Sequence, residues 1–335
     1  MKAIQYRSPG GLSNLTVGQT EDPGVPAAGE IRVKIHACSL NRHDYNVALG
    51  VLPVENGRIL MSDGAGIIEA MGSEVSGFAI GDRVVSTFFP DWGQGDAPLA
   101  TFARTTGDGL DGYGVETVVR SANWFTHAPR DWSLTEAATL PTAGLTAWRA
   151  LVTEGHVRAG QDLLVLGTGG VAIFALQFAK RLGARIIVTS SSDEKLERAV
   201  GLGADFGVNY RRQENWSEAV LELTEGRGVD LVVETAGPGT LPQSIKATRI
   251  GGRIVLVGVL TGLSGQVPTL ALMGRQQTLH GITVGSRCHQ IEMIRALNAM
   301  DLRPVIDATY PFARIVEAFQ FQESGRHFGK ICIES

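Results

Sequence analysis

Residues His36 to Tyr45, "HACSLNRHDY", bring a cysteine, two histidines and an aspartate into one short segment. Thiolate, imidazole and carboxylate are the groups that bind zinc. The same segment offers Asn41, His43 and Tyr45, which donate hydrogen bonds or protons without any metal. Two chemistries are therefore open: a metal ion acting as Lewis acid, or side-chain donors acting alone. His36 lies mid-strand in "VKIHAC" and reads as a structural histidine, and Cys38 reads as a small buried hydrophobe. The other cysteines are Cys288 and Cys332. Three scattered cysteines build neither a disulfide framework nor a four-cysteine zinc knuckle, and they fit a reducing, cytoplasmic setting.

A second chemical signal is "VLGTGGVAIFALQFAK", which sets Gly167, Gly169 and Ala172 in a G-x-G-x-x-A pattern. It follows a strand and opens a helix, the context a dinucleotide site requires. Gly167 permits the tight turn, Gly169 lets the backbone approach a pyrophosphate, and Ala172 lets helix and strand pack closely. The helix start then presents N–H groups and a positive dipole end to phosphate. NAD sites carry an acidic residue about 20 residues further on, on the adenosine ribose. Here the next strand reads "IIVTSSSDEK" and ends on Ser190, Ser191 and Ser192, with no carboxylate at its tip. Hydroxyls there, with Lys195, Tyr210, Arg211 and Arg212 nearby in sequence, suit the 2′-phosphate of NADP. Ser191 with Glu194 also reads as a helix capping box.

These residues need a frame. The 335-residue chain is 44% hydrophobic and 19% charged, enough to bury a core in roughly two domains. A formal charge of −4 without blocks of like charge gives no reason to expect nucleic acid or an anionic membrane as partner. The first ten residues contain no apolar leader core. The apolar run Leu163–Ala179 is broken by glycines in its first half, which argues for strand, turn and buried helix rather than a membrane span. Up to about residue 125 the chain reads as short strands between glycine turns: "IRVKIHAC", "GAGIIEAMG", "GDRVVSTF" and "DGYGVETVV". "SLTEAATLPTAGLTAWRALV" has helical spacing interrupted at Pro141. Strands "DLLVLG", "ARIIVT", "FGVNY", "VDLVVE", "GRIVLVG" and "LHGITV" then alternate with helices predicted at Gly170–Leu182, Asp193–Gly201, Trp216–Thr224 and Leu241–Ile250. That alternation predicts right-handed crossovers and a parallel, doubly wound sheet. The tail reads as two helices and a last strand, "GKICIE", returning to the first domain.

"LPTAGLTAW", "VLGTGGVA", "LGADFGVNY", "GRGVDLVVETAG" and "GGRIVLVG" together resemble the medium-chain dehydrogenase/reductase superfamily over almost the whole chain. "HACSLNRHD" and "VNY" are similar to its quinone-oxidoreductase and zinc-free alcohol-dehydrogenase-like branches. The resemblance implies an α/β fold. A GroES-like β-rich catalytic domain would span residues 1–125, a Rossmann domain 126–286, and residues 287–335 would complete the first. It also implies a substrate cleft between the domains, walled by Tyr45, residues 88–95 and residues 259–263, and a homodimer paired through "TLHGITVGS". Cofactor contacts carried over by position are Arg42, Thr146, Gly167, Gly169, Gly170, Val171, Ser190, Ser191, Lys195, Tyr210, Ala236, Gly258, Val259 and Ser286. In zinc-dependent members the ligand cysteine stands where this chain has Asn41. Their Gly-His-Glu falls on Met61, Ser62 and Asp63, and the third ligand on Thr142. Asp91–Gly112 contains no cysteine for a structural zinc lobe. Neutral oxygens and one carboxylate make a poor zinc site, so no zinc is expected.

Without a Lewis acid, charge on a substrate oxygen must be met by hydrogen bonds. Hydride transfer from NADPH to a quinone or an α,β-unsaturated carbonyl is then easier than oxidation of a simple alcohol. Asn41, His43 and Tyr45 are the expected catalytic donors. His43 stands where zinc enzymes place a proton-relaying Ser or Thr, as a donor or as a cleft wall. Two alternatives stay open: a zinc-free alcohol or carbonyl dehydrogenase, and a protein that binds NADPH as sensor or accessory without turnover.

Overall fold

The computed structural model describes all 335 residues, Met1–Ser335, in two compact units. The first comprises Met1–Leu145 and Gly285–Ser335, and the second Thr146–Val284. The expected boundaries were 125/126 and 286/287. Residues 126–145 instead pack with the first unit, because the helical turns that follow Ser133 lie against its sheet.

In chain order the first unit opens with β1 (Lys2–Gln5) and β2 (Thr16–Gln19), then the long β3 (Glu30–Ser39) and α1 (Arg42–Ala48). There follow β4 (Asp63–Met71), β5 (Arg83–Ser86), β6 (Thr117–Ser121), β7 (Phe125–His127) and α2 (Leu134–Ala137). Residues Leu140–Gly144 form a wide π-type turn at the interruption expected around Pro141. It runs into α3 (Leu145–Trp148), where the second unit begins, and a second such turn over Arg149–Thr153. Wide turns of this kind are rare and concentrate at functional sites.

The second unit adds β8 (Asp162–Leu166), α4 (Gly170–Arg181), β9 (Arg185–Ser190), α5 (Asp193–Gly201), β10 (Phe206–Asn209) and α6 (Trp216–Leu223). β11 (Val229–Glu234), α7 (Leu241–Ala247), β12 (Thr248–Leu256), α8 (Thr269–Gly274) and β13 (Thr278–Gly281) complete it. Its strands are all parallel, in the order β10-β9-β8-β11-β12-β13. That is the doubly wound order 3-2-1-4-5-6 expected from the alternation. Strands buried on both faces explain the unbroken apolar runs: Leu164, Ile187, Val208, Val232 and Ile254 share one core. One helix is shorter than its pattern. Leu241–Ile250 stops at Ala247, because Thr248 is extended and already pairs with Val229. α8 was not anticipated; none of its residues is buried.

The chain then returns to the first unit with α9 (Arg287–Leu297), β14 (Ile306–Pro311), α10 (Ile315–Glu323) and β15 (Lys330–Glu334). β14 is an additional strand, parallel to β15. The seven-stranded sheet runs β14-β15-β3-β4-β5-β7, with β6 also on β3. Ile31, Val33, Ile35, Val84, Phe125, Ile331 and Ile333 fill its core. The register of β3 sets Ser39 opposite Asp63 on one side and Cys332 on the other.

Candidate active site

Asn41 caps α1 in a reciprocal box with Asp44, so the end of β3 and the start of α1 hold one rigid corner. Asp44 Oδ2 accepts from the Asn41 amide at 2.8 Å, and Oδ1 from the Ser62 amide at 2.7 Å. This ties the segment before β4 to the corner. Just upstream of Ser62, Met61 is buried with φ 74°, a left-handed conformation that glycine adopts freely and a side chain does not.

Of the three positions expected to replace zinc ligands, Asn41 and Thr142 converge on one carboxylate and Ser62 joins them through Asn41. Asn41 Nδ2 donates to Asp63 Oδ2 at 2.8 Å and to Ser62 Oγ at 3.3 Å. Thr142 Oγ1 donates to Asp63 Oδ1 at 2.6 Å, and Ser39 Oγ to Oδ2 at 2.9 Å. On the far side, Lys330 Nζ donates to Asn41 Oδ1 at 2.6 Å and to the Leu40 carbonyl at 2.7 Å. Lys330 is 3% exposed, Asp63 not at all, and only Thr142 in this cluster is partly open. Burial pushes the Asp63 carboxyl up to about 6, against the pull of Lys330 and its hydrogen bonds. Burial also lowers the Lys330 ammonium, with Asp63 opposing.

This donor set does not fit zinc. It offers a carboxamide, hydroxyls and one carboxylate with a buried ammonium beside them, where zinc takes thiolate and imidazole. No group of three or more His, Cys, Asp or Glu side chains in the structure is arranged to hold a metal ion. Cys38 points elsewhere, to the Tyr113 carbonyl at 3.1 Å, and burial drives its thiol well above the ordinary range.

His43 and Tyr45 leave the cluster in different directions. His43 Nε2 meets Asp108 Oδ2 at 2.8 Å, and Nδ1 lies 3.7 Å from Asp44. Burial opposes charge on this imidazole, but the hydrogen bond to Asp108 and the proximity of Asp44 prevail and push it up to about 9. His43 therefore clasps the 104–112 loop to α1. Tyr45 Oη donates to Glu323 at 2.5 Å, on α10, and its ring is buried near Phe319. Burial, then the bond to Glu323, raises the phenol to about 12. Arg42 is exposed, its guanidinium 5.2 Å from the Tyr45 ring centre. Phe88, Phe89 and Trp92 pack the loop rather than line a surface, since each is at most 4% exposed. Lys330, Asp108 and Glu323 were not singled out from sequence. Lys330 had one visible signal: a lysine opening an otherwise apolar strand.

In the second unit Gly167 has φ 82°, and its amide donates to the Thr189 carbonyl, folding the turn under the β9 tip. Gly169 precedes α4 with no side-chain cap, and a Cβ built there meets no atom within 4 Å. The glycine is thus not demanded by the chain's own packing. It leaves a cradle beside the first amides of a 12-residue helix, which fits a dinucleotide pyrophosphate. Gly170 and Val171 form that first turn. Gly258 has the opposite reason: a Cβ there would strike the Thr235 carbonyl at 2.1 Å. Ala236 and Val259 flank this close approach, and Thr146 is buried at the start of the unit. Ser190, 3% exposed, ends β9 and accepts from the Ser192 amide at 3.2 Å. The helix cap is Ser192, not Ser191: its Oγ accepts from the Lys195 amide. Arg212 is paired with Asp193, which also accepts from Asn209 at 2.7 Å. Tyr210 is 42% exposed. Ser286 lies in the first unit and caps α9 in a box with His289.

Two family models match the chain: an alcohol dehydrogenase GroES-like domain over residues 27–130 and a zinc-binding dehydrogenase over residues 170–301. A zinc-type alcohol dehydrogenase-like protein of Schizosaccharomyces pombe is 39% identical over 97% of this chain and 96% of its own length. The crystal structure of a putative alcohol dehydrogenase from Sinorhizobium meliloti 1021 superposes with a TM-score of 0.93 at 42% identity, covering 100% and 99% of the two chains. An NAD-dependent alcohol dehydrogenase structure matches at 0.91 and 34% identity, covering both chains fully. The chain thus belongs to the medium-chain dehydrogenase/reductase superfamily, among its alcohol dehydrogenase-like oxidoreductases.

Proposed function

We propose that this oxidoreductase works without zinc, uses NADPH, and reduces a quinone or an α,β-unsaturated carbonyl. The observation that carries the reading is the cluster itself. Asn41 and Thr142 are bound to one another through Asp63, Asn41 also donates to Ser62, and the Lys330 ammonium supplies positive charge nearby. Such a cluster offers hydrogen bonds, but no Lewis acid, to a substrate oxygen that gains charge. Conjugated acceptors spread that charge and ask least of the site. The second unit fits the dinucleotide through Gly167, Gly169, Gly170 and Val171, and its nicotinamide supplies the hydride when bound. NADPH is favoured over NADH by the buried Ser190 at the β9 tip, where NAD sites carry a carboxylate.

The test is turnover of a panel of enones, quinones and simple alcohols by protein dialysed against chelator, with elemental analysis alongside. Enone or quinone reduction with far less than one zinc per chain is expected. One tightly held zinc, with activity confined to alcohols, would refute the reading. A second reading, metal-free alcohol oxidation, is favoured by one contact: Thr142 donates to a carboxylate, the arrangement of a hydroxyl backed by a base. We place the enzyme in the reducing cytoplasm, in keeping with three free cysteines. No helix is long and apolar enough to cross a membrane. We also propose a homodimer joined at β13, the edge strand of the parallel sheet, beside which Leu270 and Met273 of α8 are exposed. A sedimentation mass of one chain at micromolar concentration would count against it.

A further inference from the structure

We propose that the Thr142 hydroxyl is the catalytic group that exchanges a proton with the substrate oxygen, through a buried chain running Thr142–Asp63–Asn41–Lys330. The inference rests on the reading of this cluster as the site where charge develops on a substrate oxygen. Two independent observations assign the role to Thr142. It is the only member of the chain that is partly open: Asn41 is 7% exposed, Lys330 3%, and Asp63 fully buried. It also sits in the wide turn Leu140–Gly144, a costly local geometry that sets this hydroxyl against a carboxylate 79 residues away in sequence.

The other candidate donors are engaged. Tyr45 is bonded to Glu323, His43 to Asp108, and both polar atoms of the Asn41 amide to Asp63 and Lys330. The Asn41 contacts also fix its flip: oxygen toward the ammonium, nitrogen toward the carboxylate. Asn41 and Lys330 are thereby positioning residues. They hold Asp63 so that its other oxygen faces Thr142.

The proton and electron balance is simple. In reduction, the substrate carbon gains a C–H bond with the hydride pair that the nicotinamide supplies. The substrate oxygen takes the Thr142 proton, Thr142 takes a proton from the Asp63 carboxyl, and Asp63 is left as carboxylate facing the charge of Lys330. Solvent restores the proton between turnovers. In alcohol oxidation each transfer reverses. The alcohol proton passes to Thr142 Oγ1 as the Thr142 proton passes to Asp63 Oδ1, the bond already present in the structure.

The test compares Thr142→Val, Thr142→Ser and Asp63→Asn with the parent protein, using enone, quinone and alcohol substrates. Thr142→Val keeps the shape and removes the hydroxyl. It should lower kcat by about a hundredfold or more, within the range general acid–base groups supply. KM and NADPH affinity should stay nearly constant, and the fall in melting temperature should not exceed the loss of one hydrogen bond to a buried carboxylate. Thr142→Ser should recover kcat to within about tenfold of the parent, the step that 1.4 kcal/mol represents. Asp63→Asn can still bond Thr142 but neither gives nor takes a proton, and should lose kcat as Thr142→Val does. A Thr142→Val protein retaining half the parent kcat, or a Thr142→Ser protein as poor as Thr142→Val, would overturn the proposal. Activity confined to simple alcohols would sink the enone and quinone reading, while the valine–serine difference would still decide the relay. A parent protein inert to the whole panel would overturn both.

Discussion

Two of the buried carboxylates, Asp63 in the first unit and Glu234 in the second, are held in opposite ways. Glu234, at the end of β11, accepts from the amides of Ala236 and Gly237 and from the hydroxyls of Thr240 and Ser244. All four donors lie within ten residues of it. Asp63 accepts from Ser39 and Asn41 at one corner and from Thr142 in a distant second segment, with Lys330 from a third behind them. Glu234 staples one loop to itself. Asp63 fastens distant segments together and leaves one donor, Thr142, partly open. A carboxylate enclosed by local backbone amides is a structural device. One assembled from distant side chains depends on the whole fold and ends here on a partly open hydroxyl.

The largest expected effect is on the local staple. Glu234→Ala strands four donors, two of them buried, and should cost roughly 3 kcal/mol of stability in denaturant melts. A loss under about 1 kcal/mol would mean that the turn after β11 is held by other means. Lys330→Met should cost somewhat less, about 2–3 kcal/mol, because it unpairs Asn41 Oδ1 and leaves Asp63 without its buried counter-charge. Adding Asp63→Asn to Lys330→Met should return at least half of that loss, since the uncompensated charge is then gone. Strictly additive losses would separate the two residues and break the comparison.

Effects on cofactor choice should be smaller. Ser190→Asp should reverse or erase a preference for NADPH over NADH of roughly tenfold, equivalent to 1.4 kcal/mol, by repelling the 2′-phosphate and accepting from the ribose. Dissociation constants for both cofactors decide it. Equal affinities in the parent would reduce the serine run to the start of a capped helix.

A different kind of effect, a slope of stability against pH, concerns the clasp beside the cluster. The folded-state pKa of His43 stands at about 9, above the 6.5 of a free imidazole, so its protonation stabilises the fold. That contribution is complete below about pH 6.5 and is lost as pH rises through about 9. His43→Gln should flatten the decline of melting temperature between pH 7 and pH 9.5. An unchanged slope would show that the Asp108 contact carries no such linkage.

The parallel sheet was legible because its signals are local: buried apolar strands, glycine turns and helix periods repeat in order along the chain. The glycine cradle was legible for the same reason. The cluster was only half legible. Asn41, Ser62 and Thr142 were expected, on the resemblance, to stand where ligands are replaced, but nothing local in the sequence says that Asp63 joins Asn41 to Thr142 or that Lys330 stands behind. Those contacts depend on the register of β3 against β4 and β15, set by the fold as a whole. The Leu241–Ile250 helix failed for a related reason. Strand pairing of Thr248 with Val229 overrides helical spacing at its end. The Ser191 box missed by one residue, since Ser190, Ser191 and Ser192 are chemically equivalent as caps and only the path of the chain distinguishes them.

The first unit is made of two stretches of chain separated by the whole of the second, and this sets an order of events during synthesis. Residues Thr146–Val284 can close their sheet as soon as β13 has left the ribosome. The first unit cannot. β3 waits for β15, and Asn41 waits for Lys330, 289 residues downstream. Until then Asp63 has neither its buried cation nor a finished sheet around it, and the edge of β3 that β15 will cover stays open to wrong partners. The nascent chain therefore carries a finished nucleotide-binding fold beside an unfinished one. Lys330, which completes the cluster around Asp63, is made only after the whole of the second unit.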